Sequence, residues 1–255
     1  MGRAFGLGLR TAQPKVELNI FDIDQHRAAH TSGECAGTAL TSVKELCVKS
    51  DTLLLAIKPQ HAESLFSEIG ESGAGKKYIS IMAGTPISYL ESYLPKSQIV
   101  RFMPNLAATV GASVVGISCS SSCDSSFRKD AFSIASAVGI PMELPENLLS
   151  AITGLSGSGL AYVFAFLHAM ALGGTDAGFS YEQALEIAYG TVEGAVKLLR
   201  KEGVGPSEYL TRVTSAGGTT IRGVKALEKE GFTHAVMEAI AAAADRADEI
   251  EAAKR

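Results

Sequence analysis

The amino-acid sequence predicts an α/β protein, with a doubly wound sheet in its first half and an all-helical second half. Short unbroken apolar runs alternate with helix-spaced segments through the first half, as parallel strands covered on both faces require. The runs end at turn-forming pairs such as Lys58-Pro59, Ala83-Gly84 and Pro104-Asn105. After Gly139-Ile-Pro141 the strand pattern stops and only helical periodicity remains.

The strands are expected at 16–21, 52–57, 78–82 and 99–103, with helices at 60–69 and 86–94 between them. Alternation of this kind is the doubly wound pattern. The second half opens on an apolar stretch at 148–172, with Gly154, Gly157 and Gly159 where helices can approach closely. Ser180 is a good N-cap for a helix over 181–201, with Glu182 and Gln183 in its first turn. Further helices are expected at 219–230 and 233–254. This gives two domains, 1–145 and 146–255. The longest apolar run, 160–172, is interrupted by His168 and is too short to span a bilayer, so it reads as a buried helix. So apolar a helical half buries itself against a second copy of the chain.

Composition narrows the function. The 255 residues are 46% hydrophobic and 20% charged, enough to bury a full core. A net charge of −4 and a pI near 5.8 argue against a nucleic-acid partner. Cysteine is sparse (Cys35, Cys47, Cys119, Cys123), as in a reduced, cytoplasmic protein. The opening residues MGRAFGLGLRTAQPK lack the apolar run of a secretory leader. No metal site is expected. Cys119 and Cys123 have no histidine at zinc spacing, and the five histidines form no HExxH pair. His168, on an apolar helix, reads as a core or interface residue.

Chemistry concentrates in a few places. Thr214-Ser-Ala-Gly-Gly-Thr-Thr220 leads directly into a helix. It brings hydroxyls and unpaired amides to a helix N-terminus, which suits a carboxylate or is simply a capped loop. Asp22, at the end of the first strand, either takes ribose hydroxyls or closes a turn. Lys58-Pro59 and Ala83-Gly84 end two further strands, where ligands of open α/β sheets sit.

These residues together resemble the pyrroline-5-carboxylate reductases. The landmarks are Ala56-Ile-Lys-Pro-Gln60, Met82-Ala-Gly84, Arg101-Phe-Met-Pro-Asn105, Ala151-Ile-Thr-Gly-Leu-Ser-Gly-Ser-Gly159 and Ala161-Tyr162. The most specific is Val213-Thr-Ser-Ala-Gly-Gly-Thr-Thr220. The resemblance covers essentially the whole chain. It implies a Rossmann-type domain followed by an all-α dimerisation domain. It also implies reduction of the cyclic imino acid 1-pyrroline-5-carboxylate to L-proline by NADPH or NADH, the last step of proline biosynthesis. Cofactor contacts are implied for Gly2, Asp22, Ala56, Ile57, Lys58, Pro59, Ile81, Met82, Ala83 and Asn105. Substrate contacts are implied for Val213, Ser215, Gly218, Thr219 and Thr220, with the Thr220 hydroxyl on the ring nitrogen as the catalytic contact. The implied assembly is a homodimer, extending to a ring of dimers.

The sequence also departs from the family. Met1-Gly2 matches the end of the family's Gly-rich turn, so a first strand and the opening of that turn are expected ahead of it, about a dozen residues in all. Leu160 stands where a proline is usual, and an asparagine usual near Val43 is replaced. The N-terminal difference raises the alternative of a paralogue that oligomerises without turnover. Hydroxyacid dehydrogenases share the architecture, but they carry a lysine base and an asparagine that the stretch Leu160-Ala-Tyr-Val-Phe-Ala-Phe166 lacks.

Overall fold

The computed structural model describes residues 1–254. In chain order its elements are α1 (Gly2–Ala12), β1 (Asn19–Ile20), α2 (Gln25–Cys35), β2 (Thr38–Ala39), α3 (Val43–Lys49), β3 (Thr52–Leu55), α4 (Ala62–Ile69), β4 (Lys77–Ser80), α5 (Ile87–Tyr93), β5 (Gln98–Met103), β6 (Ser113–Cys119), α6 (Ser125–Ser136) and β7 (Gly139–Glu143). Helices α7 (Leu149–Ile152), α8 (Gly159–Asp176), α9 (Tyr181–Glu202), α10 (Pro206–Val213), α11 (Thr219–Lys229) and α12 (Phe232–Ala252) follow.

Five strands form one sheet in the order β3-β4-β5-β6-β7, and β1 and β2 form a separate parallel pair. The ladders β3–β4 and β4–β5 are parallel, as expected of their apolar runs. Strand β6 pairs antiparallel to β5, with Val100 opposite Cys119, and β7 runs parallel to β6. The sequence reading missed β6 and β7. Gly116 and three polar or small residues break up the β-branched positions of β6, and Pro141 demotes β7. The first expected strand, 16–21, shortens to Asn19–Ile20.

Alternation along the strands supplies a core on each face. On one face Phe5 of α1 and Phe127, Ala131 and Ala135 of α6 cover Ile79, Val100, Val115 and Ile117. Phe5 is fully buried and stacks on Phe102 with ring centroids 6.0 Å apart. On the other face α3, α4 and α5 pack Cys47, Phe66 and Leu90 against Leu53, Tyr78 and Ile99. Burial pushes the Tyr78 phenol up, and its hydroxyl donates to the Gly73 carbonyl at 2.9 Å.

The chain divides into two compact units, Met1–Ser158 with Ala241–Arg255, and Gly159–Ile240. This differs from the division at 145/146 drawn from sequence. Residues 146–158 pack on the sheet, and the end of α12 is held there by a buried ion pair described below. In the helical unit α8 packs on α9, with Gly174 against Ala184. The Ser180–Gln183 capping box starts α9 as expected. Helix α8, expected to be buried, has only Ala171 buried, and Val163, Phe164, Phe166 and Leu172 are exposed. His168 is exposed and bonds the Tyr181 hydroxyl at 2.9 Å.

Phe5→Ala should cost about 3–5 kcal/mol of stability, because it opens a cavity between α1 and β5. Urea unfolding at fixed protein concentration measures it. A loss below about 1 kcal/mol would mean that α1 is not packed on the sheet in this way.

Candidate active site

The sheet unit gathers most of the expected cofactor residues at the carboxyl ends of its parallel strands. Ala56, Ile57, Lys58 and Pro59 follow β3, and Ile81, Met82 and Ala83 follow β4. Strand pairing continues past β4 through the Ile81 amide and the Leu55 carbonyl at 3.2 Å, which keeps the two loops side by side. Gly2 opens α1 against Ala56, whose Cβ lies 3.0 Å from where a Gly2 Cβ would be. Helix α1 has no side-chain cap and no acidic residue in its first turn. Its leading amides therefore keep their donors and their positive dipole end for an anion. Arg3 is not free to add charge, because Glu34 holds it at 2.5 Å.

Asp22 closes the turn between β1 and α2. Its Oδ1 accepts from the Asp24 amide at 2.9 Å, and Asp24 caps α2 through the His26 and Arg27 amides. Arg27 lies 3.7 Å from Asp22 and 3.5 Å from Asp24. The turn reading of Asp22 is thus realised, and both signs of charge stand at that strand end.

Two expected cofactor side chains have inward roles. Met82 is 3% exposed within the core under α3–α5. Asn105 is 8% exposed, and its groups are engaged internally. Its Oδ1 accepts from the Ala107 amide and its Nδ2 donates to Ser156 Oγ at 2.9 Å. Its amide donates to Ser113 Oγ and its carbonyl accepts from the Ala108 amide. The resemblance implies a cofactor contact here; in the structure Asn105 braces the end of β5 against residue 156.

The helical unit holds the expected substrate residues on one turn. Val213 ends α10, and the Thr214 hydroxyl donates back to the Leu210 carbonyl at 2.9 Å. Gly217 has φ +70°, a left-handed conformation that glycine adopts without strain. The Gly218 amide donates to the Ser215 carbonyl at 3.1 Å, so it is spent inside the turn and is not an anion donor as expected. The donors that remain are the first amides of α11, at Thr219 and Thr220. Helix α11 lacks a side-chain cap and an acid in its first turn. Thr219, Thr220 and Ser215 are exposed, and neither threonine hydroxyl has a hydrogen-bond partner among the described residues. Such a helix end can take a carboxylate, with a hydroxyl one residue away for a second polar atom.

The sequence carried no sign of a buried charge cluster in the sheet unit. Arg101 on β5 is 5% exposed and meets Glu146 at 2.5 Å and Glu251 at 3.1 Å. Its partners are 45 and 150 residues away.

The chain is similar to known proteins along most of its length. Residues 146–250 match the family described as pyrroline-5-carboxylate reductase dimerisation, and residues 1–84 match that described as NADP oxidoreductase, coenzyme F420-dependent. A pyrroline-5-carboxylate reductase of Aquifex aeolicus is 38% identical over 245 residues, 94% of this chain and 90% of that protein. The structure of a pyrroline-5-carboxylate reductase from Coxiella burnetii superposes with a TM-score of 0.92 at 27% identity, over 98% of this chain and 94% of that one. The Plasmodium falciparum pyrroline carboxylate reductase, solved with NADP bound, gives 0.88 at 27% identity, over 98% and 94% of the chains.

Asn105→Ala should lower stability by about 1–3 kcal/mol, the cost of leaving the Ala107 amide and Ser156 unpaired. It should leave dinucleotide affinity nearly unchanged. Paired calorimetric unfolding and NADPH titration check this. Lost affinity at full stability would return Asn105 to the binding site.

Proposed function

The chain belongs to the pyrroline-5-carboxylate reductase family, and on that premise we propose which of its residues do the work. The protein is an NAD(P)H-dependent oxidoreductase that reduces 1-pyrroline-5-carboxylate to L-proline. The single observation that carries the residue assignment is the uncapped, acid-free N-terminus of α11, with its free Thr219 and Thr220 amides and hydroxyls.

Open amides at the start of α1, with no acid beside them, fit a pyrophosphate. The loops Ala56–Pro59 and Ile81–Ala83 would flank the rest of the dinucleotide, with Asp22 at the ribose. Bound there, the nicotinamide supplies a hydride to the carbon of the substrate's C=N bond. The chain's own task is to orient and to stabilise charge. The Thr219 and Thr220 amides hold the substrate carboxylate, supported by the Ser215 hydroxyl. Gly217 and Gly218 let the main chain turn tightly under it. The Val213 carbonyl accepts the N–H of the ring nitrogen, and the Thr220 hydroxyl donates to the lone pair that forms on that nitrogen as the double bond is lost. A threonine hydroxyl is a weak acid, so the protonated iminium is the reactive form. Thr220 then steadies the amine as the double bond is lost.

The family's dimerisation domain covers 146–250, and this division, near 145/146, is the one we propose for the chain as an evolutionary unit. The segment Glu146–Asp176 has the length and mean hydropathy, 1.5 over its best window, of a membrane span, and only 6% of that window is buried. On this reading a second copy covers that exposed surface, in line with the match of 146–250 to the family's dimerisation domain. Further exposed apolar residues on α9, α11 and α12, among them Ile187, Tyr189, Ile221 and Met237, support dimers that assemble into a ring.

Following NADPH oxidation by absorbance, with pyrroline-5-carboxylate as substrate, should show turnover by the protein. Thr220→Val should lower kcat by roughly ten- to a thousandfold with cofactor affinity kept, and unchanged kcat would remove Thr220 from the mechanism. Light scattering should give at least twice the 26.6 kDa chain mass at micromolar concentration. A purely monomeric protein would contradict the dimer.

A further inference from the structure

We propose that the C-terminal end of α12 is a positioning strap for the cofactor loops, acting through Ile250, Glu251 and Lys254. The inference rests on the reading that the loops after β3 and β4 receive the dinucleotide. All of the contacts involved lie within the sheet unit.

The strap is anchored by Arg101. Both terminal guanidinium nitrogens of Arg101 reach Glu251 Oε2 at 3.1 Å, and Glu251 is 6% exposed. One of them also donates to Glu146 Oε1, which in turn accepts from the Ile87 amide at 2.7 Å. Removing one partner of such a buried pair strands a charge, so the anchor fixes where the end of α12 lies.

From that anchor the neighbouring residues reach the two loops. Ile250 Cγ2 fills the place of a Gly84 Cβ, 2.6 Å from where it would stand, and Gly84 has φ +58°. Only glycine tolerates both the left-handed backbone and this contact. Lys254 Nζ donates to Thr85 Oγ1 at 3.1 Å and lies 3.5 Å from the Pro59 carbonyl. Thr85 is fully buried, and its hydroxyl donates on to the Ala83 carbonyl at 3.3 Å. Lys254 therefore sets, through Thr85, the direction of the Ala83 peptide. Its ammonium also lies 5.5 Å from the Tyr89 ring, and burial pulls its pKa below the usual lysine value. Beside these contacts Ala83, Gly84, Arg101, Met103 and Ile250 line a cavity of about 70 Å³. That is room for a water or two, so the turn has space to shift once the strap lets go.

Glu251 anchors the strap on β5 through Arg101, and the contacts of Ile250 with Gly84 and of Lys254 with Thr85 and Pro59 reach the loops after β3 and β4. A helix end that served only to bury surface would have no need of a lysine bridging Pro59 and Thr85. Lys254 and Glu251 are thus positioning residues, acting on the cofactor through Ala83 and Pro59.

The test uses the full chain with Lys254→Met, Lys254→Arg and Glu251→Gln. It measures NADPH affinity by fluorescence titration, and hydrogen exchange of residues 81–85 without cofactor. Lys254→Met should weaken NADPH binding roughly three- to tenfold, the size of one or two lost hydrogen bonds, and speed exchange at 81–85. Lys254→Arg should restore both, and the KM for pyrroline-5-carboxylate should stay unchanged. Glu251→Gln should act in the same direction even if it lowers the melting temperature. Unaltered exchange and affinity in Lys254→Met would overturn the strap. Failure of the unsubstituted protein to bind NADPH would instead overturn the cofactor reading, and the exchange result would still decide whether the strap holds the loops.

Discussion

Every α-helix begins with amides that have no partner within the helix, and something must satisfy them. In this protein α2, α3, α6 and α9 use the side chains of Asp24, Ser42, Asp124 and Ser180. Helix α5 borrows Glu146 from elsewhere in the chain through the Ile87 amide. Helices α1 and α11 have neither a cap nor an acid in the first turn. Open ends of this kind suit anions, and the proposed reading gives that of α1 to a dinucleotide pyrophosphate and that of α11 to a substrate carboxylate.

Much of this could be read in the chain because its signals are local. The apolar runs of β3, β4 and β5 stand within a few residues of their stop signals. Ser180 and Gln183 spell out a capping box. The glycines and threonines of 214–220 announce a tight turn into a helix. What escaped the reading depends on partners far along the chain. Nothing near Asn105 shows that Ser156, 51 residues on, takes its amide. Arg101 sits in an apolar strand with no local reason to be charged, and its reason is Glu251. Gly218 was expected to donate to substrate, but its amide closes onto Ser215 only once Gly217 adopts its left-handed conformation. Strand β6 was missed for a similar reason: only its pairing with β5 reveals that the broken pattern Ser-Val-Val-Gly-Ile-Ser-Cys is a strand.

The two halves follow different stability rules. The sheet unit buries large side chains on both faces and braces its edges with long-range polar contacts. The helical unit keeps Phe164 and Met237 at 59% and 64% exposure in the single chain. Surface of that kind is stable in water when a second copy covers it. The substrate turn proposed above lies within 146–250, the stretch that matches the family's dimerisation domain. Helix α12 begins in the helical unit and ends on the sheet, where Arg101 holds it.

The most direct measurement is the amide spectrum of protein labelled with ¹⁵N-threonine, recorded with NADP⁺ as L-proline is added. The account predicts that the Thr219 and Thr220 amides move downfield as the proline carboxylate accepts their protons, while Thr52 and Thr191, distant in sequence and outside the turn, stay in place. Saturable proline binding with the Thr219 and Thr220 amides unmoved would contradict it.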